Sequence, residues 1–292
     1  MNSLLGSAAA LLSAASWALG SILFRRLGDA LSPTAMNLTK CLIGLLYLGA
    51  LLLGFGLEPV GRRDFLLLGA SGLLGIAVGD SFFFNALMRL GPRLTVLAEM
   101  LGPVLTVMGA IIFLRERLSA QAGAGILLIL AGVTWVLWEN PGPPEAKKAR
   151  LRGIAFSLLS AACMSAGILL AKLALSKNSA LEATFIRLLW AAGGLGLCGA
   201  AGRRLGPWLR PLTDRRVLKQ AFLAAFVGIF GGFWLFLVSL KYIDASIATA
   251  LNSTTPLFVL PMTAWLLKEK ISARAVAGAA VAVAGVALLF VA

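Results

Sequence analysis

Four ionisable residues, Lys40, Asp80, Glu99 and Arg187, stand inside long apolar runs of the chain. A charge at the centre of such a run costs roughly 2.5 to 3.5 kcal/mol on membrane-insertion scales, so each needs a compensating partner or a task. Lys40 stands about two turns into its run, Asp80 about two turns before the end of the next, and Glu99 about a turn and a half into the one after. These three therefore share a level on one side of a bundle. One lysine and two carboxylates there fit a binding or proton-coupling site, and fit equally a static ion pair that fixes helix packing. Arg187 takes the matching place on the opposite side. Its guanidinium invites an anionic ligand group, unless Glu182 near the start of the same run pairs with it. Snorkelling to nearby headgroups is the other use open to Lys40 and Arg187.

A second set of residues is polar or aromatic without charge. Pro103 and Pro256 each remove the hydrogen bond to the carbonyl four residues earlier, which belongs to Glu99 and Asn252 respectively. Two helix kinks would thus each combine a released carbonyl with a polar side chain, a geometry able to coordinate something polar; a neighbouring hydroxyl could instead satisfy the carbonyl. Trp17, Asn37, Asn85 and Trp234 are candidates to line a cavity by stacking or hydrogen bonding, although lipid contact or ordinary packing is the commoner use of such residues. The chain contains no histidine, which removes His-based triads, His metal sites and His proton relays. Cys41, Cys163 and Cys198 all lie in apolar runs and imply no disulfide framework. No metal site or cofactor is expected.

The elements that must hold these groups follow from composition. Of 292 residues, 60% are hydrophobic and 13% charged, with a mean hydropathy of +0.93, more apolar surface than one soluble core could hide. Apolar runs long enough to cross a hydrocarbon layer about 30 Å thick recur from end to end. They predict spans near residues 4–24, 35–54, 65–87, 94–113 and 120–138, then 153–175, 181–201, 218–240, 245–267 and 273–291. The first run is expected to be retained as a helix rather than cleaved as a signal peptide. The net charge of +14 sits in short connections and reads as headgroup anchoring and topology signal, not as a nucleic-acid surface. The basic stretch from Arg203 to Lys219, with Trp208 between two prolines, reads as interfacial.

An internal repeat organises the spans. Arg115-Glu116-Arg117-Leu118-Ser119-Ala120 returns as Lys268-Glu269-Lys270-Ile271-Ser272-Ala273, 153 positions later. The same interval carries Gly75 to Gly228, Gly79 to Gly232, Pro103 to Pro256 and Gly125 to Gly278. The first two spans of each half align at 147, pairing Ser13 with Ser160, Gly20 with Gly167 and Lys40 with Arg187. The expected fold class is an all-α integral membrane protein of ten transmembrane helices in two five-helix repeats, 1–138 and 153–292, joined by a linker at 139–152. An odd number of spans per repeat inverts the second half relative to the first.

The whole chain resembles the EamA type of the drug/metabolite transporter superfamily. Each half ends in a proline-bearing span, a charged "ERLS"-like turn and a glycine-spaced final helix. Trp17 after small residues, the basic residue in each second span and Leu240-Lys241-Tyr242 also follow that pattern. The resemblance implies a secondary transporter, exporter or exchanger, of a small metabolite in the bacterial inner membrane, working by alternating access around a midplane site. It also implies both termini on the cytoplasmic side, whereas the lysines and arginines gather in the connections after odd-numbered spans and favour the reverse. The expected partners are a small-molecule substrate, the lipid bilayer and protons as a coupling ion, in a monomer or weak homodimer. Basic residues in both halves favour a substrate with a carboxylate or phosphate. No phosphate-cradling motif is present for direct use of ATP. A channel or non-transporting scaffold is the alternative, and a lipid-acting membrane enzyme a more distant one, since no clustered nucleophile or metal site exists for it.

Overall fold

A chain with so many apolar runs must satisfy its backbone within each span, and helices do this alone. The computed structural model describes residues 2–56, 60–102, 104–105, 120–137, 144–175, 179–243, 248 and 251–291. Among these residues there is no strand. The first half contains α1 (Asn2–Leu27), α2 (Pro33–Phe55), α3 (Arg62–Ser71), α4 (Ser81–Glu99) and α5 (Ala120–Leu137). The second contains α6 (Pro144–Leu175), α7 (Ala180–Ala201), a short α8 (Leu205–Leu209), α9 (Arg215–Phe226), α10 (Leu235–Tyr242), α11 (Thr255–Leu266) and α12 (Ala273–Val291). Six stretches are long and apolar enough to cross a bilayer, and Gly123–Leu137, Thr255–Leu266 and Ala273–Leu288 are shorter apolar helices. The protein is a multi-pass membrane protein with a repeated all-helical fold.

The stretch Arg62–Glu99 has 38 residues, about 57 Å of helix, too much for one crossing. It breaks at Gly91, whose φ of 74° belongs to the left-handed region that only glycine enters freely, and Pro92 then starts the next span from its favoured first position. On the amino side of α4, residues Gly72–Asp80 form a wider π-type turn that joins it to α3. Val227–Trp234 forms the same kind of turn between α9 and α10. The two segments occupy equivalent places in the repeats. Wide turns of this kind are frequent at functional sites.

The halves interlock. α1 packs on the Val227–Trp234 turn, α10 and α11 of the second half, while α6 packs on α3, the Gly72–Asp80 turn and α4 of the first. Glycines permit the closest approaches and come in exchanged pairs. A Cβ added at Gly132 would stand 2.5 Å from Gly278 O, and one at Gly285 would stand 2.8 Å from Gly125 O. Moving both members of the first contact by 153 positions produces the second, which is the mark of a two-fold relation between α5 and α12. Gly167 against Gly75 and Gly20 against Gly228 form another exchanged pair.

Two expected features differ in detail. The polar stretch expected to be a linker is helical from Pro144 onward, so Lys147, Lys148, Arg150 and Arg152 lie on the first turns of α6 rather than in a loose connection. Proline near the start of a helix costs no hydrogen bond, and the basic turns supply their own solvation. Arg203 to Lys219 holds the short α8 and a 3₁₀ turn at Arg210–Thr213 before α9, with Trp208 packed on α2, Ala221 and Ala225.

Candidate functional site

Lys40 on α2 faces the Gly72–Asp80 turn, and its ammonium forms an ion pair with the Asp80 carboxylate. Both side chains are 2% exposed. Snorkelling therefore does not describe Lys40. The turn that carries Asp80 is held from α2 as well: Asn37, one turn before Lys40, donates through Nδ2 to Ile76 O (2.8 Å), Ala77 O (3.2 Å) and Ser81 Oγ (3.0 Å). Ala77 O also accepts from Ser81 Oγ at 2.6 Å, so Asn37 ties α2 to backbone and hydroxyl of the turn together. Asn37, expected as a cavity-lining residue, is fully buried and clamps backbone.

Arg187 reaches the same region from α7. Gly72 lets α7 approach, since a Cβ there would fall 2.1 Å from Arg187 O. Gly75 lies beside the guanidinium, 3.5 Å from Nη2 to the place a Cβ would take. Arg187 is 2% exposed, its Nε has no hydrogen-bond partner, and among the described residues no carboxylate lies within ion-pair distance of it. Glu182 does not serve as its partner: that carboxylate turns back to Ser179 in a capping box at the start of α7. Asp80 lies within electrostatic reach of Arg187, but its direct contact is to Lys40.

Both cations lie over one ring. Lys40 Nζ is 5.0 Å and Arg187 Cζ 5.9 Å from the centroid of Phe233, and Lys40 Nζ is also 5.4 Å from Phe84. The negative face of an aromatic ring attracts a cation where water is absent. Trp17 meets Phe233 edge-on at 4.9 Å and covers Gly232. Phe233 was not legible as a site residue by type alone. Its signal is positional: it stands 153 residues after Asp80, so the second repeat has an aromatic ring where the first has the carboxylate.

Glu99 and Asn252 are the remaining polar candidates on the proline-bearing segments. Glu99 is within electrostatic reach of Asp80, and Ser160 of α6 lies beside it, yet neither Glu99 Oε1 nor Ser160 Oγ makes a hydrogen bond among the described residues. Asn252 Oδ1 is likewise buried and unpartnered. Pro103 lies outside the described residues. At Pro256 the chain turns at Ser253 and Thr254 and α11 starts afresh, so this proline begins a helix. The Asn252 carbonyl it releases accepts from Thr255 Oγ1 at 2.6 Å, so the carbonyl is taken and the side-chain amide oxygen is what remains.

The other two candidates sit elsewhere. Asn85 donates to Ser81 O (2.8 Å) and accepts from Arg89 (3.0 Å) at one end of the bundle, where it borders an open cleft of about 530 Å³ with Arg25, Asp29 and Arg89. Trp234 packs edge-on against Phe230 and joins the apolar cluster that holds Leu237. Among the described residues no group of His, Cys, Asp and Glu could hold a metal ion.

The EamA-like transporter family model matches residues 4–138 and again 151–291. The uncharacterized inner membrane transporter YhbE of Escherichia coli strain K12 is 31% identical over 138 residues, 47% of this chain and 42% of that protein. The chain thus spans less than half the length of that relative. An uncharacterized transporter of Archaeoglobus fulgidus is 25% identical over 289 residues, 96% of this chain and 95% of that one. A solved structure titled "Crystal structure of protein" superposes with a TM-score of 0.59 over 99% of this chain and 97% of that one at 20% identity, a likeness of fold alone.

Proposed function

We propose, from the premise that this chain belongs to the EamA-like transporter family, that it is a secondary transporter which exports or exchanges a small metabolite across the cytoplasmic membrane by alternating access of two inverted repeats. The observation that carries this reading is the meeting of Lys40 and Arg187, equivalent residues of the two repeats, over Phe233 where the halves interlock. Buried ionisable groups at a repeat interface are costly, and midplane sites of this kind are where inverted-repeat transporters hold cargo. The matched stretches 4–138 and 151–291 are taken as the two moving repeats. Glu99, half-buried with one buried oxygen and no cation paired to it among the described residues, is the candidate proton carrier, because such a carboxyl can change its protonation during a cycle.

Counterflow in proteoliposomes tests this. Vesicles preloaded with a pool of organic acids, amino acids, nucleosides and amines should accumulate one labelled member saturably and only when a related compound is inside. Linear, unsaturable flux would point to a channel, and no flux of any member to a scaffold. For coupling, Glu99→Gln should remove the pH dependence of uptake; an unchanged pH profile would sink the proton-carrier role while leaving transport itself intact.

A further inference from the structure

Among the described residues two basic side chains, Lys40 and Arg187, are buried, and one of them is spent in an ion pair. Lys40 is neutralised by Asp80, and the ion pair is closed and 2% exposed on both sides. Arg187, equally buried, has an unpartnered Nε and no anion at ion-pair distance among the described residues; the ring of Phe233 stands where the repeat would place its carboxylate. An aromatic face compensates a guanidinium only in part. A buried charge left in this state lacks several kcal/mol of compensation, so its persistence asks for an anion that comes and goes.

We propose that Arg187 is the anchoring residue for an anionic group of the cargo, a carboxylate or a phosphate, and that Lys40 is not. The planar guanidinium presents paired N–H donors that fit either oxyanion in bidentate fashion. Gly75 contributes no side chain beside Nη2, and the backbone of Gly167 and Cys163 closes that side. This rests on the transporter reading for its context, though the binding chemistry stands without it.

The experiment uses the purified full chain in detergent and matched probes: succinate against 1,4-butanediol and putrescine, and glycerol 3-phosphate against glycerol. At least one anion should raise the thermal unfolding midpoint by about 2 to 4 °C, while its neutral and cationic counterparts do not. Arg187→Gln should abolish the shift and Arg187→Lys should retain part of it. A ligand-free arm reads the same claim: Arg187→Leu should leave the midpoint unchanged or raise it, because it removes an uncompensated charge. The proposal is overturned if no anion shifts the wild type, if neutral or cationic probes act equally, if Arg187→Gln keeps the shift, or if Arg187→Leu lowers the ligand-free midpoint by several degrees. Anion binding without counterflow would sink transport and spare this inference. Counterflow confined to neutral or cationic compounds would do the opposite.

Discussion

The two repeats share their scaffold and differ in their charges. In the first, the basic residue of the second span meets a carboxylate from the widened turn, Lys40 with Asp80; in the second, the equivalent Arg187 meets a ring, Phe233. Backbone support differs in the same way. Asn37 clamps two carbonyls of its turn, whereas its counterpart Thr184 donates to Ala180 O in its own helix at 2.7 Å. The glycine contact between the turn and the partner helix is also tighter in the first half, 2.8 Å from a Cβ at Gly167 to Gly75 Cα, against 3.9 Å from one at Gly20 to Gly228 Cα. The first half therefore has the features of a fixed framework. The second brings an unspent charge against the tight Gly72 and Gly75 face of the first, while its own turn makes the looser contact.

Three pairs of substitutions at equivalent positions can break that contrast. Asp80→Leu strands Lys40 in the core and should destabilise by about 3 to 5 kcal/mol, while Phe233→Leu should cost about 1 to 2 kcal/mol. Thermal unfolding in detergent compares them, and equal losses would erase the distinction between the halves. Adding Lys40→Met to Asp80→Leu should restore most of the stability, since no buried charge is then left alone. Next, Asn37→Leu should cost about 2 kcal/mol by exposing Ile76 O and Ala77 O to an apolar neighbour, and Thr184→Val less than about 1 kcal/mol; the same midpoints decide it. Smallest is the glycine pair. Gly167→Ala should cost about 1 to 2 kcal/mol through overpacking on Gly75, with Gly20→Ala near zero. A reversed order would mean that the second interface is the tighter one.

Much of this was legible in the sequence because the physics involved is local or periodic. Apolar run length located the spans, and the intervals of 153 and 147 exposed the repeat. The depth of Lys40 and Asp80 placed them at one level, and the structure brings them into contact. What the sequence hid depends on which way a side chain turns across a helix interface. Arg187 looked as able to pair with Glu182 as to stay free, and only the capping box at Ser179 removes that partner. Asn37 reads as a cavity or packing residue alike, because nothing in its neighbourhood announces that it faces a widened turn whose carbonyls it can clamp. The role of Thr255 in taking the Asn252 carbonyl is a rotamer choice that spacing does not specify. Phe233 was visible only by carrying the repeat one residue beyond Gly232 and asking what replaced Asp80.

The central claim is that the two equivalent cations have unequal jobs, and the most direct measurement is counterflow uptake by Arg187→Gln and Lys40→Met/Asp80→Leu proteins reconstituted at equal, verified folded density. Saturable uptake of the anionic cargo should fall at least tenfold in Arg187→Gln and stay within a few-fold of wild type in the double variant, whose deleted pair is neutral as a unit. Uptake lost in the double variant and preserved in Arg187→Gln would contradict the account and move the cargo site to Lys40 and Asp80.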